Sequence, residues 1–242
     1  MGTGDMDTTE IKRAVAEAVT DRVVKSDMKV GLGTGSTAIH AVRRTGTLLA
    51  NGTLSNILAV ATSFESTIEA QRLGIPLRTL NDPEIEGTLD VTIDGADEVD
   101  TRTGFLIKGG GGALTQEKLV EYNSGTLYVV VDESKLSRQL GTLFPVPVEV
   151  IPAALASAQR TIRKLGAWPE LRMAQRKAGP VVTDNGNLIL DVHFDGADFD
   201  AAALEREFNS IPGVLDSGLF TRAHTEIWVG RGDGTVEQVV VG

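Results

Sequence analysis

The stretch Lys29-Val-Gly-Leu-Gly-Thr-Gly-Ser-Thr37 joins a short apolar run to a turn made of glycine and hydroxyl residues. The run Lys29–Leu32 predicts a buried strand, and the apolar spacing beyond the turn predicts a helix over 37–50. Main-chain N–H groups at the start of a helix have no partner within it, and the helix dipole adds positive potential there. We therefore interpret residues 31–37 as an anion-binding turn, with a tight turn that serves only packing as the alternative.

Strands and helices alternate on both sides of this turn. Asp7 and Glu10 are suited to cap a helix that begins near Ile11. Further strands are predicted at 56–61, 75–80, 89–94 and 126–132, and further helices at 62–73 and 114–122. Alternation at this spacing is typical of parallel strands joined by crossover helices, so we expect an α/β fold with a doubly wound sheet.

A second pattern begins near Gly141-Thr-Leu-Phe-Pro-Val-Pro-Val148, where two prolines stiffen the chain. We predict strands at 146–151, 170–173 and 214–219, helices at 153–165 and 201–208, and a hairpin over 181–191 that turns at Asp184-Asn-Gly-Asn187. This order predicts a smaller α+β domain. Strands predicted at 225–229 and 236–241 could join either domain, and we expect them to rejoin the first sheet. The expected domains are therefore residues 1–141 plus 220–242, and an inserted domain of residues 142–219.

Composition excludes several classes of protein. Of the 242 residues, 41% are hydrophobic and 23% are charged, which is typical of a globular chain. A formal net charge of −10 opposes binding to nucleic acid or to an anionic membrane, so neither partner is expected. The absence of cysteine excludes disulfides, thiolate nucleophiles and zinc sites built on thiolates. The acidic start and the shortness of the apolar run at 127–131 lead us to expect a soluble cytoplasmic protein.

The residues of the turn limit the class of anion that it could bind. Ser36 replaces the third glycine of a dinucleotide fingerprint, and the turn has no P-loop lysine. Hydroxyl groups on Thr34, Ser36 and Thr37 are instead suited to a single phosphate monoester, held by side-chain O–H and main-chain N–H groups together.

Two further stretches follow predicted strands. Asp94-Gly-Ala-Asp97 lies where α/β proteins place ligands, and its carboxylates could contact sugar hydroxyls or serve only as turn and cap residues. Four glycines in Lys108-Gly-Gly-Gly-Gly112 carry a large entropy cost, which a close approach of main chain to ligand explains better than a flexible hinge. Lys108 could stabilise an oxyanion, and Glu117 is the candidate general base, although most helical glutamates are surface residues.

The remaining titratable residues are less informative. Lys135 could add positive charge for a phosphate, or could be a surface lysine. His40, His193 and His224 share no metal-ligand spacing and are assigned no role. We therefore expect no metal and no cofactor.

Taken together, these elements resemble the family of ribose-5-phosphate isomerase type A. The resemblance covers nearly the whole chain and rests on motifs in family order: GLGTGST (31–37), TSFES (62–66), DGADEVD (94–100), KGGGGALTQEK (108–118), DESK (132–135), FPVPVEVIP (144–152), VVTDNGNLILD (181–191) and IPGVLDSGLF (211–220). Two stretches depart from the family pattern. Residues 168–180 look longer than usual, and Arg222-Ala-His224 is not a family signature.

The resemblance implies a Rossmann-like domain with a smaller ferredoxin-like α+β domain, a homodimer or homotetramer, and no metal. It implies interconversion of ribose 5-phosphate and ribulose 5-phosphate in the non-oxidative pentose phosphate pathway. The implied substrate contacts are Thr34, Gly35, Ser36, Thr37, Asp94, Gly95, Ala96, Asp97, Lys108, Gly109, Gly110, Gly111 and Lys135. The implied proton acceptor is Glu117, and we add Lys108, Asp94 and Asp97 to the expected catalytic residues.

The residue types are suited to this chemistry. Moving a carbonyl from C1 to C2 requires removing the C2 proton, returning it to C1, and stabilising the enediolate formed between the two steps. Glu117 is expected to carry the proton and Lys108 to oppose the oxyanion charge. Asp94, with help from Asp97, is expected to move hydroxyl protons and to assist ring opening.

Two other functions are compatible with part of this sequence. A non-catalytic sugar-phosphate sensor would keep the phosphate turn, but would normally carry a DNA-binding module, for which this acidic chain has no spare segment. An amino-sugar phosphate deaminase on the same scaffold is disfavoured by the stretch from Lys108 to Glu117.

The tetrapeptide Asp94-Gly-Ala-Asp97 occurs a second time as Asp195-Gly-Ala-Asp198. The second copy follows an alternating, half-exposed strand and precedes a predicted helix. We therefore expect Asp198 or Asp200 to be a helix N-cap, and only the first copy to belong to the site.

Overall fold

The computed structural model describes residues 6–196, 199–222 and 225–239. In chain order the strands are β1 (Lys29–Leu32), β2 (Leu58–Ala61), β3 (Leu89–Asp94), β4 (Glu98–Asp100), β5 (Leu106–Ile107), β6 (Ser124–Asp132), β7 (Leu136–Ser137), β8 (Val146–Val150), β9 (Trp168–Leu171), β10 (Leu188–His193), β11 (Val214–Ser217), β12 (Leu219–Phe220), β13 (Thr225–Gly230) and β14 (Val236–Val239). The helices are α1 (Thr8–Val23), α2 (Gly35–Ala50), α3 (Phe64–Arg72), α4 (Leu114–Tyr122), α5 (Leu155–Lys164) and α6 (Ala201–Asn209).

Contacts between residues group the chain into two compact units. Unit 1 comprises the described residues of Met1–Gly95, Gln116–Lys135 and Ala223–Val240. Unit 2 comprises those of Ala96–Thr115 and Leu136–Arg222.

Unit 1 is built on a six-stranded sheet with the order β14-β13-β6-β3-β1-β2. Its strands are parallel except for β14, which runs antiparallel to β13. The parallel strands, counted along the chain, have the order 2-1-3-4-5, which is one of the two common doubly wound arrangements. As predicted, the last strands rejoin the first sheet, because β13 pairs with β6 from Thr225↔Leu127 to Gly230↔Asp132.

The core of unit 1 forms where apolar helix stripes meet this sheet. Val15 and Val19 of α1 and Val42 of α2 pack in one cluster with Ile93 of β3 and Val130 of β6. Burying each such side chain contributes about 1.5–3 kcal/mol. The predicted cap of the first helix is confirmed, since the Asp7 side chain accepts from the main-chain N–H of Glu10, although α1 begins at Thr8, earlier than expected.

Unit 2 contains the segment β8-α5-β9-β10-α6-β11, which is the ferredoxin-like order of strands and helices. Its four-stranded sheet has the order β11-β8-β10-β9 with every neighbouring pair antiparallel. Val148, Ile162, Leu190 and Phe208 are fully buried in its core. A second four-stranded sheet has the order β12-β5-β4-β7.

Two predicted strands are wrong in the structure. Residues 75–80 form no strand, because the segment meets β2 only through the single bridge between Ala59 and Leu77, and Pro76 lacks an N–H to extend the pairing. The predicted hairpin over 181–191 has its turn, with the Thr183 N–H donating to Asn187 O over 2.9 Å. However, 181–183 is not a strand, and β10 pairs instead with β8 and β9.

The sequence-based domain boundaries remain a prediction. The contacts place residues 96–115 and 136–141 in unit 2, because β4 pairs with β5 and β7, and β5 pairs with β12.

Within residues 6–196, 199–222 and 225–239, no helix is both long enough and apolar enough to cross a membrane.

Candidate active site

The sheet of unit 1 places two of the quoted motifs side by side. In doubly wound sheets ligands bind at the carboxyl ends of the strands where the strand order reverses, which here is between β1 and β3. The turn 33–37 leaves the end of β1, and Asp94 is the last residue of β3. The turn 33–37 and Asp94, which the sequence analysis singled out, therefore lie where a ligand is expected in this fold.

Hydrogen bonds fix the turn against the end of β3. The Gly33 N–H donates to Ile93 O over 3.0 Å, and the Thr34 N–H donates to Asp94 Oδ1 over 2.9 Å. A Cβ atom on Gly33 would lie 2.5 Å from Ile93 O and even closer to the Asp94 carboxylate, so only glycine fits there. The glycine of the motif is thus required by the close approach of two chains.

The turn leads into the N-terminus of α2, as predicted for an anion site. Thr34 is the N-cap residue and Gly35, with φ of +91°, begins the helix. The Gly35 N–H already donates to a carboxylate, Glu65 Oε2, over 3.2 Å. The end of this helix therefore attracts the kind of acceptor that a phosphate would supply.

The hydroxyl groups of the turn differ in their surroundings. The Thr34 hydroxyl donates to Ser63 Oγ over 2.7 Å and lies 2.6 Å from Thr62 Oγ1, so this side chain holds the turn to the segment after β2. Ser36 is exposed, whereas Thr37 is buried. Ser36 is therefore the hydroxyl of the turn that is accessible to a ligand.

The structure adds a cation that the sequence reasoning missed. Lys12 of α1 donates from Nζ to Ser36 Oγ over 3.0 Å. The two residues are far apart in sequence, so no local motif indicates this contact. The sequence signal is weak, since it consists of the basic pair Lys12-Arg13 in the first turns of α1.

Asp94 is completely buried at the end of β3. Its Oδ1 atom accepts from two main-chain N–H groups, those of Thr34 at 2.9 Å and Gly95 at 2.7 Å. Two convergent N–H donors compensate much of the desolvation of this carboxylate. The side chain is thereby held in one orientation.

Asp97 and the glycine loop Lys108–Gly112 belong to unit 2. The Asp97 N–H donates to Ile107 O over 2.8 Å, and Asp97 Oδ2 accepts from the Gly110 N–H over 2.6 Å. A Cβ atom on Gly110 would lie 3.0 Å from that same oxygen and 2.9 Å from the carboxylate carbon. Close approach of main chain to a side chain therefore explains one of the four glycines without a ligand.

Lys108 is almost fully buried, with 2% of its surface exposed. Its N–H donates to Gly218 O over 2.9 Å, and its Nζ atom lies 5.6 Å from the centre of the Phe220 ring. A lysine is rarely buried to this extent unless its charge is compensated. This burial distinguishes Lys108 from a surface lysine.

Glu117 lies in the first turn of α4 and is 4% exposed. The interpretation of this residue as an ordinary solvated helical glutamate is therefore wrong. Two residues earlier, Thr115 donates to the fully buried Glu149 carboxylate over 2.5 Å, which fixes the start of the helix. Glu117 is thus a buried carboxylate in the first turn of a helix whose start is held by a hydrogen bond.

Lys135 ends a 3-10 turn that follows β6 and is partly buried. The neighbouring Glu133 accepts from Arg231 Nη1 over 3.0 Å, which ties this turn to the end of β13. Because β3, β6 and β13 are parallel neighbours, this turn lies at the same sheet edge as Asp94.

The second copy of the aspartate tetrapeptide has a different environment. Asp195 is exposed, whereas Asp94 is buried, and Asp198 lies outside the described residues. Asp200 caps α6, its side chain accepting from the Ala203 N–H over 3.0 Å, as predicted. Of the histidines, His40 has its pKa lowered, chiefly by burial, and His224 lies outside the described residues.

Across residues 6–196, 199–222 and 225–239, no group of three or more His, Asp or Glu side chains has an arrangement that could hold a metal ion.

The chain was compared with known protein families and structures. The sequence model of the family described as ribose 5-phosphate isomerase A (phosphoriboisomerase A) matches residues 58–234. The ribose-5-phosphate isomerase A of Thermosynechococcus vestitus is 52% identical over 222 residues, covering 92% of this chain and 92% of the relative. That of Treponema pallidum is 47% identical over 228 residues, covering 94% of this chain and 89% of the relative.

Solved structures agree with the sequence comparisons. Ribose 5-phosphate isomerase A from Methanocaldococcus jannaschii superposes with a TM-score of 0.88 at 45% identity, covering 96% of this chain and 99% of that one. A D-ribose-5-phosphate isomerase in complex with phospho-erythronic acid superposes with a TM-score of 0.90 at 41% identity, with the same coverage of 96% and 99%. Since sequence and fold both agree over nearly the full length of each chain, the protein belongs to the ribose 5-phosphate isomerase A family.

Proposed function

We propose that this chain interconverts D-ribose 5-phosphate and D-ribulose 5-phosphate through an enediolate, as an aldose-ketose isomerase of the non-oxidative pentose phosphate pathway. The observation that carries the proposal is the buried Glu117 within the family motif KGGGGALTQEK. A buried carboxylate in the first turn of a constrained helix is suited to carry a proton between two neighbouring carbons.

We propose that the turn Thr34, Gly35, Ser36 and Thr37 binds the phosphate of the substrate. Support comes from its place at the N-terminus of α2, from the exposed Ser36 hydroxyl and from the cation of Lys12. Lys135 adds positive charge from the turn after β6. Anchoring the phosphate end of the substrate orients the carbonyl end for reaction.

The proposed proton transfer requires a base and a stabilised oxyanion. Glu117 takes the C2 proton and returns it to C1. Lys108 opposes the negative charge that develops on the oxygen, and its burial makes this attraction stronger than it would be in water. No metal or cofactor is part of this proposal, because a lysine and main-chain N–H groups can supply the required positive potential.

The aspartates have a supporting role in the proposal. Asp94 and Asp97, with the main chain of Gly95 and Ala96, contact the hydroxyl groups of the sugar and move their protons, which assists opening of the furanose ring. Gly109, Gly110 and Gly111 contact the substrate through their main chain.

The assembly and location of the protein are also proposals. The family resemblance favours a homodimer or homotetramer. The acidic start and the shortness of the apolar run at 127–131 favour a cytoplasmic location, and the order of predicted elements favours domains of residues 1–141 plus 220–242 and 142–219. A net charge of −10 disfavours nucleic acid and anionic membranes as partners. Sedimentation equilibrium distinguishes the assemblies, and a monomer at micromolar concentration would contradict the proposal.

The decisive experiment is a coupled assay with ribose 5-phosphate, with arabinose 5-phosphate and glucosamine 6-phosphate as control substrates. We expect formation of ribulose 5-phosphate from the first, little turnover of the second, and no ammonia from the third. The same assay after dialysis against EDTA is expected to give unchanged turnover. Release of ammonia would favour the deaminase, and binding of ribose 5-phosphate without turnover would favour the sensor.

A further inference from the structure

Arg172 lies in the stretch 168–180, whose role the sequence did not explain, directly after the edge strand β9. Its main chain is held at both ends, since its N–H donates to Ile189 O over 2.9 Å and its carbonyl accepts from the Val181 N–H over 2.9 Å. Its side chain is largely buried, with 13% of its surface exposed. The main chain that carries the guanidinium group is therefore held in place within unit 2.

One side of this guanidinium is bound by Asp191 of β10. Nε donates to Oδ2 over 2.9 Å and Nη2 donates to Oδ1 over 2.5 Å, which is the two-point pairing of an arginine with a carboxylate. Asp191 is also largely buried, with 17% of its side chain exposed. The pair fixes the plane of the guanidinium and balances its charge.

The other side of the guanidinium contacts the glycine loop. Nη1 donates to Gly109 O over 2.8 Å and to Gly110 O over 3.1 Å. The Gly109 carbonyl belongs to the same peptide group as the Gly110 N–H, which donates to Asp97 Oδ2 over 2.6 Å. One peptide group is therefore held at its oxygen by a cation and at its N–H by an anion.

These contacts act on a glycine segment, whose main chain has few steric limits of its own. Gly109 has φ of +100°, and four consecutive glycines can exchange between main-chain conformations with little steric penalty. A loop of this kind needs outside contacts to keep its peptide groups in one orientation. Arg172 supplies such contacts at two consecutive carbonyl groups.

We propose that Arg172, oriented by Asp191, is a positioning residue that holds the Gly109–Gly110 peptide group in the orientation that substrate binding and oxyanion stabilisation require. The proposal rests on the function proposed above, because it assigns Arg172 to the loop that follows Lys108. Arg172 touches neither the substrate nor the reacting atoms in this proposal, and acts only through the loop.

The test compares Arg172→Met, Arg172→Lys and Asp191→Asn with a matched control, Arg163→Met. Arg163 is an exposed arginine of the same unit, and its guanidinium lies over the Trp168 ring at 5.4 Å. Each variant is assayed with ribose 5-phosphate at a temperature well below its own melting transition. Hydrogen exchange of the segment 109–112 is measured in parallel by mass spectrometry.

We expect Arg172→Met to lower kcat/KM by about ten- to a hundredfold, the range that small misplacements of catalytic groups produce. Arg172→Lys is expected to recover only part of this loss, because an ammonium group cannot pair with Asp191 and the loop carbonyls in one plane. Asp191→Asn should also lower kcat/KM, but by less than Arg172→Met does. Exchange of 109–112 should be faster in all of these variants and unchanged in Arg163→Met, which should keep kcat/KM within about twofold of the parent.

The proposal is overturned if Arg172→Met keeps kcat/KM within twofold of the parent, if loop exchange is unchanged, or if the lost activity equals the unfolded fraction. If Arg172→Met does not fold, the Arg172→Lys and Asp191→Asn variants decide by the same criteria. Failure of the proposed function is distinguishable. In that case the parent and Arg163→Met do not isomerise ribose 5-phosphate, while the exchange data still show whether Arg172 holds the loop.

Discussion

The main-chain N–H of Thr34 donates to Asp94 Oδ1 over 2.9 Å, so the last residue of β3 orients the turn that begins α2. The same oxygen accepts from the Gly95 N–H over 2.7 Å. One buried carboxylate thus links the turn proposed to bind phosphate with the aspartate motif proposed to contact the sugar.

Replacing Asp94 by asparagine removes the charge while keeping one oxygen acceptor for these N–H groups. We expect turnover to fall at least tenfold, equivalent to about 1.4 kcal/mol in the barrier. The matched control is Asp195→Asn in the exposed second copy of the motif, for which kcat/KM should stay within about twofold, as is usual for surface changes. Steady-state kinetics with thermal melts test this. A large kinetic defect in Asp195→Asn with an unchanged melt would show that the second copy takes part in the reaction.

Glu117→Gln keeps the shape of the side chain and removes the base. Positioned acid–base groups contribute about 10²–10⁴-fold to rate, so we expect kcat to fall by at least that range with a small change in KM. Steady-state kinetics with ribose 5-phosphate measure both constants. A variant that kept more than about a tenth of the parent kcat, far above the level left by a 10²–10⁴ loss, would exclude Glu117 as the base.

The two lysines are expected to affect different kinetic constants. Lys108→Ala should mainly lower kcat, because this buried cation is proposed to oppose charge that develops in the transition state. Lys135→Ala should mainly raise KM, because this partly exposed cation is proposed to hold the phosphate. Measuring kcat and KM separately for both variants tests the assignment, and the opposite pattern would exchange the two roles.

Glu149 provides a test of stability rather than of rate. This fully buried carboxylate accepts hydrogen bonds from Thr115, Thr183, Asn185 and Asn187 at 2.5–3.0 Å. Glu149→Gln removes the charge from an acceptor that four side-chain donors share and so weakens these hydrogen bonds. We therefore expect the free energy of unfolding to fall by about 1–3 kcal/mol. Urea denaturation measures the difference. The exposed Glu170→Gln serves as control and should change stability by less than about 0.5 kcal/mol; equal effects would show that the network around Glu149 contributes nothing specific.

The lowered pKa of Glu69 leads to a prediction of how the stability of the protein depends on pH. Hydrogen bonds from Arg72 of α3 and Arg43 of α2 lower the pKa of this carboxyl from 4.5 to about 2. A depressed folded-state pKa gives stabilisation that is fully present above pH 4.5 and is lost as the pH falls through about 2. Because both arginines are at least half exposed, solvent screening keeps the contribution of these ion pairs to stability small.

The matching experiment compares urea unfolding of the parent and Glu69→Gln across pH. We expect the parent to be the more stable at neutral pH, with the difference shrinking between pH 4.5 and 2. Glu207→Gln, which changes an exposed glutamate of α6, is the control and should show no such convergence. A difference that grew on acidification would contradict the direction of the pKa shift.

Local patterns were sufficient for the parts of the fold whose causes are local. β1, α2 and β3 follow from apolar periodicity, and the start of α1 follows from its capping residue Asp7. The sequence allowed the last strands to join either domain, and only the folded chain shows that β13 pairs with β6. The short strands β4, β5, β7 and β12 were missed as a sheet, because two or three residues carry no measurable period.

The residues that act on the site from a distance could not be predicted. Lys12 reaches Ser36, Glu149 reaches Thr115, and Arg172 reaches Gly109 only after the chain has folded. Motif reading selected residues whose chemistry is evident from their neighbours in sequence, whereas these three depend on neighbours in space.

The pairing of β13 with β6 also limits how early the sheet of unit 1 can be completed during synthesis. β6 ends at Asp132, and its parallel neighbour β13 begins only at Thr225. At about 5–20 residues per second, the ribosome needs several seconds to synthesise the intervening chain. During this time the apolar edge of β6 has no partner strand, and such edges readily pair with other chains. In translation products that end before Thr225, one edge of β6 therefore stays unpaired and prone to aggregation. We expect the yield of folded protein to depend on synthesis of β13.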